Sequence, residues 1–425
     1  MIPQVIPNHK KSSLLITQSI ASGAIGIIFW VFLARFMDMR DFGEFSAARS
    51  VLSIAILLSS LGMGTLVTKE YGKSYMSGQW EFARGMRRSI PVMLITACLI
   101  CFFVLVAFHA TVYEETAVRL ESFIAVLALL PLYVFAGFMG ASSSAYGAPA
   151  RSSAIIGWGW GALSIAVLFI FTVFQGYKIG VIDAATICAI AAATTLLFVY
   201  LLAKFVEPAE IKSGENFFDR ISWVKSGLAI ALASVSAVIL DRGGLIVLGW
   251  VHADAEAAAR LSSASKLSSV LLGLAFGLGR AYRPLLAQAV AAENSKQIKK
   301  LLFAWIRTIS IPIFVLGATL LIFGKHFLGL YGEEYVAGYW TLVVYVFSYG
   351  AAALIYLGRP LYQFFGCSKQ VLIIMASVAV LGIVGMVLLA SIWSDFGVAL
   401  ATAISINSGI GLIFLLCVRK LRRLG

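Results

Sequence analysis

The sequence predicts an all-α membrane protein with about twelve transmembrane helices. Hydrophobic residues make up 60% of the chain, charged residues only 12%, and the mean hydropathy is +0.94. A soluble domain usually carries about 25% charged residues, so this chain could not cover a water-facing surface. Its apolar runs last roughly 20 residues or more, which suits membrane-crossing helices and not the shorter strands of a barrel.

The apolar runs predict twelve spans in order along the chain. We place them at about 14–35, 46–66, 88–109, 121–141, 153–174, 182–203, 225–250, 263–289, 301–323, 337–358, 370–392 and 397–418. The seventh and eighth are long for a hydrocarbon core of about 30 Å, so we expect them to tilt or to extend into water. The run after Lys10 and Lys11 has no clear small-x-small cleavage site, so we interpret it as a retained first span.

The distribution of basic residues predicts the orientation. With the N-terminus placed in the cytoplasm, the cytoplasmic segments hold 21 lysines and arginines and the outer segments hold 7. Cytoplasmic loops of membrane proteins carry such an excess, so both termini are predicted to be cytoplasmic. The net charge of +13 is scattered in short clusters between apolar runs and forms no single patch for nucleic acid.

The two halves of the chain resemble each other. Three matches lie at nearly one offset: Phe45–Ser50 with Leu261–Lys266 at 216, Gly147 with Gly366 at 219, and Gly180 with Gly397 at 217. Each half has six spans and therefore starts and ends on the same side, so the repeats are parallel and related by an axis along the membrane normal. This predicts an N-terminal bundle over 1–206, a cytoplasmic linker over 207–224 and a C-terminal bundle over 225–425, with a cleft between the bundles.

Ionisable residues at membrane depth mark candidate sites, because a charge in hydrocarbon is costly and usually faces a bundle interior or a wet cavity. Asp241 and Arg242 fall inside span seven, either as a structural ion pair or as part of a transport path. Adjacent residues point about 100° apart on a helix, so the two need not pair with each other. Span eight carries Lys266 towards its outer end, with Arg280 and Arg283 towards its cytoplasmic end. Snorkelling to the interface is the alternative for Arg283.

In the first half, Arg35 ends span one and Arg49 opens span two, with three acidic residues between them. They form either an outer-loop charge network or a pair of arginines that project into the cleft. Cations without matching buried acids indicate an anionic ligand, and the guanidinium fork suits phosphate. The candidate binding residues are therefore Arg35, Arg49, Arg242, Lys266, Arg280 and Arg283, with Asp241 for charge balance or for a coupled proton.

The sequence contains no recognisable catalytic or metal-binding motif. It has no HExxH, no P-loop and no GxSxG motif on a strand–turn–helix. Its five cysteines do not form a disulfide scaffold in a chain of this size. We therefore expect a protein that is not an enzyme, with no cofactor and no metal.

Several segments resemble the Wzx-type polysaccharide flippases, and the resemblance covers nearly the whole chain. They are Leu33–Arg35, Phe42–Phe45, Ser60–Gly64, Leu248–Trp250, Ser262–Leu267, Tyr331–Tyr335 and Phe396–Thr402. The sequence departs at Ala257–Arg260, where the family often has a glycine. The resemblance implies the multidrug/oligosaccharidyl-lipid/polysaccharide (MOP) exporter superfamily, whose members have two six-helix bundles in a V around a central cavity.

The resemblance also implies a function. The substrate would be an undecaprenyl-pyrophosphate-linked oligosaccharide of O-antigen, lipopolysaccharide or exopolysaccharide synthesis, turned to the outer leaflet of the inner membrane. Membrane lipids, a polysaccharide polymerase and a chain-length regulator are the expected partners, and cavity aromatics such as Trp30, Trp158, Trp160 or Tyr349 would stack on sugar. The alternatives are a drug or cation exporter of the same superfamily, a membrane glycosyltransferase or polymerase, and a scaffold that transports nothing.

Overall fold

The computed structural model describes residues 9–78, 80–112, 116–175 and 178–423, and all regular elements within those ranges are helices. Ten of the helical segments are long and apolar enough to cross a membrane. One of them, Ser368–Arg423, is two crossings, because Trp393 and Ser394 break it with non-helical backbone angles. The shorter apolar segment Ala21–Phe36 supplies the first crossing. The twelve predicted spans are therefore present in their predicted order.

The described residues of the first half form nine α-helices. They are α1 (His9–Phe36), α2 (Met39–Ser59), α3 (Met63–Ser77), α4 (Glu81–Val112), α5 (Leu120–Leu127), α6 (Leu130–Ala145), α7 (Pro149–Ala154), α8 (Trp160–Gln175) and α9 (Val181–Val206). A π-helical turn, Ile155–Gly159, joins α7 to α8. Short breaks divide spans two and four, so that α2 continues into α3 and α5 into α6.

Up to residue 423, where the described part ends, the second half forms six α-helices. They are α10 (Arg220–Ile246), α11 (Ala255–Ala291), α12 (Ser295–Gly329), α13 (Tyr339–Leu354), α14 (Gly358–Phe364) and α15 (Ser368–Arg423). A π-helical turn, Val247–Val251, extends α10, and a 3-10 turn, Glu333–Gly338, precedes α13. With 37 residues, α11 is about 55 Å long at about 1.5 Å per residue, longer than the hydrocarbon core, as predicted.

Span two begins earlier than predicted. Its helix α2 starts at Met39 and not near residue 46, so Asp41 and Glu44 lie in a helix and not in an outer loop. The guanidinium of Arg119 pairs with both carboxylates, with Nη2 at 2.8 Å from Asp41 and 2.9 Å from Glu44. This pairing offsets the cost of burying Glu44, whose side chain is 2% exposed.

The lipid-facing surface of the helices is apolar, as expected for a protein that spans a membrane. Large side chains such as Phe103, Ile170, Phe314 and Leu381 are more than half exposed on the membrane-spanning helices. In water such a surface would be an interaction site or an aggregation hazard, but lipid tails solvate it.

The repeat is visible in the contacts of equivalent residues. Asp38 precedes α2 and pairs with Lys178, which raises the pKa of the Lys178 ammonium. At the repeat offset, Asp254 is the equivalent of Asp38 and Ser394 is the equivalent of Lys178. Asp254 precedes α11 and accepts a hydrogen bond of 3.2 Å from Ser394. The same pair of positions is therefore in contact in both halves, which supports the offset read from the sequence.

The pseudo-twofold axis passes between α2 and α11. Ser262 donates a hydrogen bond of 2.9 Å to Ser46, its equivalent at an offset of 216. Two equivalent residues touch only where they lie close to the symmetry axis. Close packing continues at Gly43, where a Cβ atom would lie 1.7 Å from the Ala255 carbonyl oxygen, so only glycine fits.

The segment between α9 and α10 packs on the start of α4. The Arg84 side chain donates to the carbonyl oxygens of Glu210, Ser213 and Glu215 at 2.6 to 3.0 Å. The Phe217 amide donates to the Glu81 carbonyl at 3.1 Å. The division of the chain into 1–206, a linker over 207–224 and 225–425 stays a prediction.

Candidate functional site: a cationic cavity between the two halves

A cavity of about 300 Å³, here called the central cavity, lies where the two halves meet. Helices α1 and α2 of the first half and α10 and α11 of the second half surround it. Its lining residues are Ser22, Gly23, Gly26, Ile27, Trp30, Ser46, Arg49, Ser50, Ser53, Arg242, Lys266 and Ser269. The wall is thus made of small residues and serines, with three cationic side chains and one tryptophan.

Lys266 is the most buried cation of the central cavity, with 9% of its surface exposed. Its ammonium donates to Ser262 and lies 3.6 Å from the centre of the Trp30 ring and 5.5 Å from that of Phe42. No carboxylate forms a salt bridge with it among the described side chains. Burial of an unpaired charge costs several kcal/mol as an order of magnitude, so an anion that enters the cavity would relieve this cost.

Arg49 shares the Trp30 ring with Lys266 and lies in a cage of aromatic rings. Its guanidinium carbon is 5.3 to 5.4 Å from the ring centres of Trp30, Tyr133 and Trp160. Nη1 donates to the Tyr133 hydroxyl at 3.1 Å and to the Cys188 sulfur at 3.9 Å. The ring faces attract the guanidinium but do not neutralise its charge. In the part of the chain that is described, Arg49 has no acidic partner.

Asp241 and Arg242 form an ion pair with each other, although adjacent helical residues point in different directions. Arg242 Nε lies 2.9 Å from Asp241 Oδ2, and the Tyr349 hydroxyl donates to Oδ1 at 3.1 Å. Three cationic side chains line the cavity and one carboxylate lies beside it, so the formal net charge, with every side chain counted as ionised, is +2.

The other predicted binding residues lie apart from these. Arg35 is exposed at the end of α1 and does not line the cavity. Arg283 is exposed near the end of α11, where it donates to the Tyr356 hydroxyl and lies 5.3 Å from the centre of that ring. The Arg280 side chain lies outside the described residues.

The central cavity is closed towards the predicted outer side. Above it, the Gly43–Ala255 contact brings the starts of α2 and α11 together. Trp250 donates from Nε1 to His109 Nδ1 at 3.0 Å and so ties the end of α10 to α4. The ring of Phe42 packs against Tyr331 and Tyr335 of the other half, with centre distances of 6.4 and 5.8 Å.

Towards the predicted cytoplasmic side, a further cavity adjoins the central one, while the halves also meet on that side where Gly62 packs on Gly227. A second cavity of about 510 Å³ shares Ser22 with the central cavity. It is bounded by α1, α3, α6 and α7 of the first half and by Gly273 and Phe276 of α11. These two residues lie seven and ten positions after Lys266, or about 10 to 15 Å further along the helix.

Sequence reasoning missed two residues of the site, Tyr133 and Cys188, both of which contact Arg49. A signal for Tyr133 was available, because Tyr133 and Tyr349 are equivalent positions at the repeat offset. The two tyrosines hold Arg49 and Asp241 in their respective halves. Of the candidate aromatic residues, Trp30 lines the cavity, Trp160 contacts Arg49, and Trp158 is exposed on the surface.

The fold is that of the MOP-superfamily transporters. A multidrug resistance MATE family transporter of that superfamily, in an inward-facing conformation, matches at a TM-score of 0.70 with 17% identity over 96% of this chain and 95% of that one. The lipid II flippase MurJ, in an inward closed conformation, matches at 0.70 with 13% identity over 95% and 87%. A MOP superfamily transporter from Pyrococcus furiosus matches at 0.63 with 14% identity over 97% and 96%.

The sequence profile described as polysaccharide biosynthesis protein matches residues 9–290, which is more than half of the 425 residues. The chain therefore belongs to the polysaccharide biosynthesis protein family. A search of curated proteins finds no match.

Proposed function

We propose that the protein is a flippase that moves an undecaprenyl-pyrophosphate-linked oligosaccharide from the inner to the outer leaflet of the cytoplasmic membrane. The observation that carries the proposal is the set of three cationic side chains beside one carboxylate in a cavity between the two halves, on a chain of the polysaccharide biosynthesis protein family. A pyrophosphate is the anionic group of such a substrate. Neither catalysis nor a cofactor is part of this function.

The cavity chemistry suits a pyrophosphate beside a sugar. Lys266 and Arg49 supply charge-assisted hydrogen bonds, which are stronger than neutral ones. Trp30 presents its ring to the same space, where a sugar face can stack on it. Three of the lining serines donate to backbone carbonyls within their helices, Ser50 to Ser46, Ser53 to Arg49 and Ser269 to Lys266. Their oxygens stay able to accept from sugar hydroxyls.

The positions of the open and closed ends support alternating access. The cavity of about 510 Å³ on the predicted cytoplasmic side would admit the substrate where it is made. The α2–α11 contact at Gly43 and the Trp250–His109 hydrogen bond close the other end. Rocking of the halves about the axis between Ser46 and Ser262 would open that end in turn. The pyrophosphate would then meet the other predicted cations only as it enters or leaves. Arg280 and Arg283 are near the predicted cytoplasmic side, and Arg35 is near the predicted outer side.

The rival functions fit the cavity less well. A cationic drug would be repelled by the unpaired Lys266 and Arg49, because the described carboxylate beside them, that of Asp241, is engaged with Arg242. In the flippase, Asp241 would balance the charge of Arg242 or carry a coupled proton. A scaffold would not need a buried unpaired cation at all.

The test is a translocation assay in vesicles that contain only the purified protein and a fluorescent undecaprenyl-pyrophosphate-linked sugar. The wild type should move the lipid faster than protein-free vesicles, and the double variant Arg49→Gln/Lys266→Gln should lose at least tenfold in rate. The matched control, Lys300→Gln/Arg307→Gln, removes two exposed cations of α12 and should transport normally. No transport by the wild type would favour the scaffold, and an unimpaired double variant would overturn the cavity assignment.

The cellular setting is part of the proposal. The charge distribution supports cytoplasmic termini, and the family supports a role in polysaccharide synthesis. The proposal adds the inner membrane as the location and O-antigen or exopolysaccharide as the product. A polymerase and a chain-length regulator would receive the sugar on the outer side. In cells, the double variant should be present at normal protein levels while surface polysaccharide is lost.

A further inference from the structure

A second charged pocket lies in the first half, away from the central cavity. It has a volume of about 300 Å³ and lies between α3, α4, α6 and α9. Its lining includes the charged residues Arg87, Arg88, Lys204 and Glu207 and the tyrosines Tyr71 and Tyr146. None of its lining residues belongs to the second half, and none lines the central cavity. We call it the lateral pocket.

The charges of the lateral pocket are organised around one buried carboxylate. The Glu207 side chain is 6% exposed and accepts from Arg87 Nε at 2.5 Å and Nη2 at 3.1 Å. The Lys204 ammonium lies 3.9 Å from the same carboxylate. Two of the three cations pair with this single acid and Arg88 does not, so the pocket has a formal net charge of +2. Arg88 is exposed, and no salt bridge of the described side chains involves it.

The pocket opens onto the lipid-facing surface. On α4, exposed apolar residues follow Arg88 at spacings of four, three and four, namely Val92, Ile95 and Leu99. On α9, exposed Leu197 and Leu201 precede Lys204 at the matching spacing. Residues at these spacings share one face of a helix. Each cation therefore lies at the predicted cytoplasmic end of an apolar stripe that runs into the membrane.

We propose that the lateral pocket binds the headgroup of an anionic phospholipid of the cytoplasmic leaflet. The phosphodiester would contact Arg88 and Lys204, while Arg87 stays fixed by Glu207. The acyl chains would lie along the stripes on α4 and α9. Basic pockets between transmembrane helices on the cytoplasmic side are suited to such headgroups. A free phosphate would use the cations but leave the stripes without a role.

The lining residues of the lateral pocket all lie within residues 71–207 of the first half, so we expect one lipid per chain. At an offset of 216, Lys204 corresponds to Lys420 of α15. Lys420 is occupied, because its ammonium donates to the Phe365 carbonyl at 2.8 Å. At the offset of 219 seen for Gly147, Arg88 corresponds to the exposed Arg307 of α12, which therefore makes a matched control position.

The experiment is native mass spectrometry of the detergent-solubilised full-length protein, titrated with phosphatidylglycerol or with phosphatidylcholine of the same acyl chains. The wild type should retain one phosphatidylglycerol in preference to phosphatidylcholine. Arg88→Gln/Lys204→Gln should weaken retention on the order of thirtyfold, as expected when two basic residues are lost at an anionic surface. The exposed pair on α12, Lys300→Gln/Arg307→Gln, is the control and should retain the lipid.

Four outcomes would overturn the proposal. They are equal retention of the two lipids by the wild type, equal loss in the control pair, full displacement by inorganic phosphate, and displacement by undecaprenyl pyrophosphate at equal concentration. The last outcome would assign the pocket to the carrier lipid instead. The single variant Arg88→Gln changes an exposed side chain only, so it preserves the fold and should still lower retention severalfold.

Discussion

Replacement of Lys266 by methionine should stabilise the protein and at the same time weaken its binding of a pyrophosphate lipid. Methionine keeps the length of the side chain and its contact with Trp30, but removes an ammonium that is 9% exposed and has no carboxylate partner in the described structure. Replacing buried charges by apolar groups of similar volume is often stabilising by about 1–4 kcal/mol. If Lys266 stabilised the fold, its replacement by methionine would instead lower the stability of the protein.

The binding loss follows from the bond that disappears. A hydrogen bond to a charged group contributes about 1.5–3 kcal/mol, which corresponds to a loss of about 10- to 150-fold in affinity. The apparent melting temperature and the dissociation constant for undecaprenyl pyrophosphate are measured on the same purified variant. Lys266→Arg is the control, since it keeps the charge, and should retain most of the affinity. A Lys266→Met protein that melts earlier and binds as well as the wild type would refute the reasoning.

Two further predictions concern the end of the molecule that is closed. Gly43→Ala places a Cβ atom 1.7 Å from the Ala255 carbonyl, so the α2–α11 contact must open and vesicle translocation should fall, whereas Gly411→Ala, with open space around it, should translocate normally. Glu44→Gln removes the charge that accepts from the backbone amide and Nε of Arg119 at 2.9 and 3.2 Å, and should lower the unfolding free energy by about 1–3 kcal/mol in a denaturant titration. Equal translocation by the two glycine variants would contradict the first prediction. An unchanged unfolding free energy of Glu44→Gln would contradict the second.

The fold was largely predictable because the physical requirement is simple. A span needs about 20 apolar residues to cross the hydrocarbon, and this length can be read directly from the sequence. The repeat offset could be recognised for the same reason. Each half has six spans of similar length, so equivalent residues are separated by a nearly constant number of positions. The start of α2 was not predictable, because Asp41 and Glu44 suggest a loop until Arg119, which is distant in the sequence, is known to pair with both of them.

The site was predictable only in part. The cost of charge at membrane depth pointed to Arg49, Arg242 and Lys266, and the structure places these three around one cavity. The direction in which these three side chains point could not be derived from the sequence, because the rotation of each helix about its axis is set by packing against other helices. The sequence left an Asp241–Arg242 ion pair as one of two alternatives, and the structure shows the pair. The cage around Arg49 emerged only from the folded chain.

The substrate is proposed to cross between the two halves as they rock about the axis at Ser46 and Ser262. Residues on that axis stay together during rocking, so the most direct test joins the halves away from it, at the closed end. The rings of Phe42 and Tyr335 pack across the two halves with their centres 5.8 Å apart, and Phe42→Cys/Tyr335→Cys can be linked there by a short, reducible bifunctional thiol reagent. In vesicles with the fluorescent sugar–lipid, the cross-linked double variant should stop translocation and a reductant should restore it. Each single variant should transport with and without the reagent. Translocation by the fully cross-linked double variant at the wild-type rate would contradict rocking of the halves.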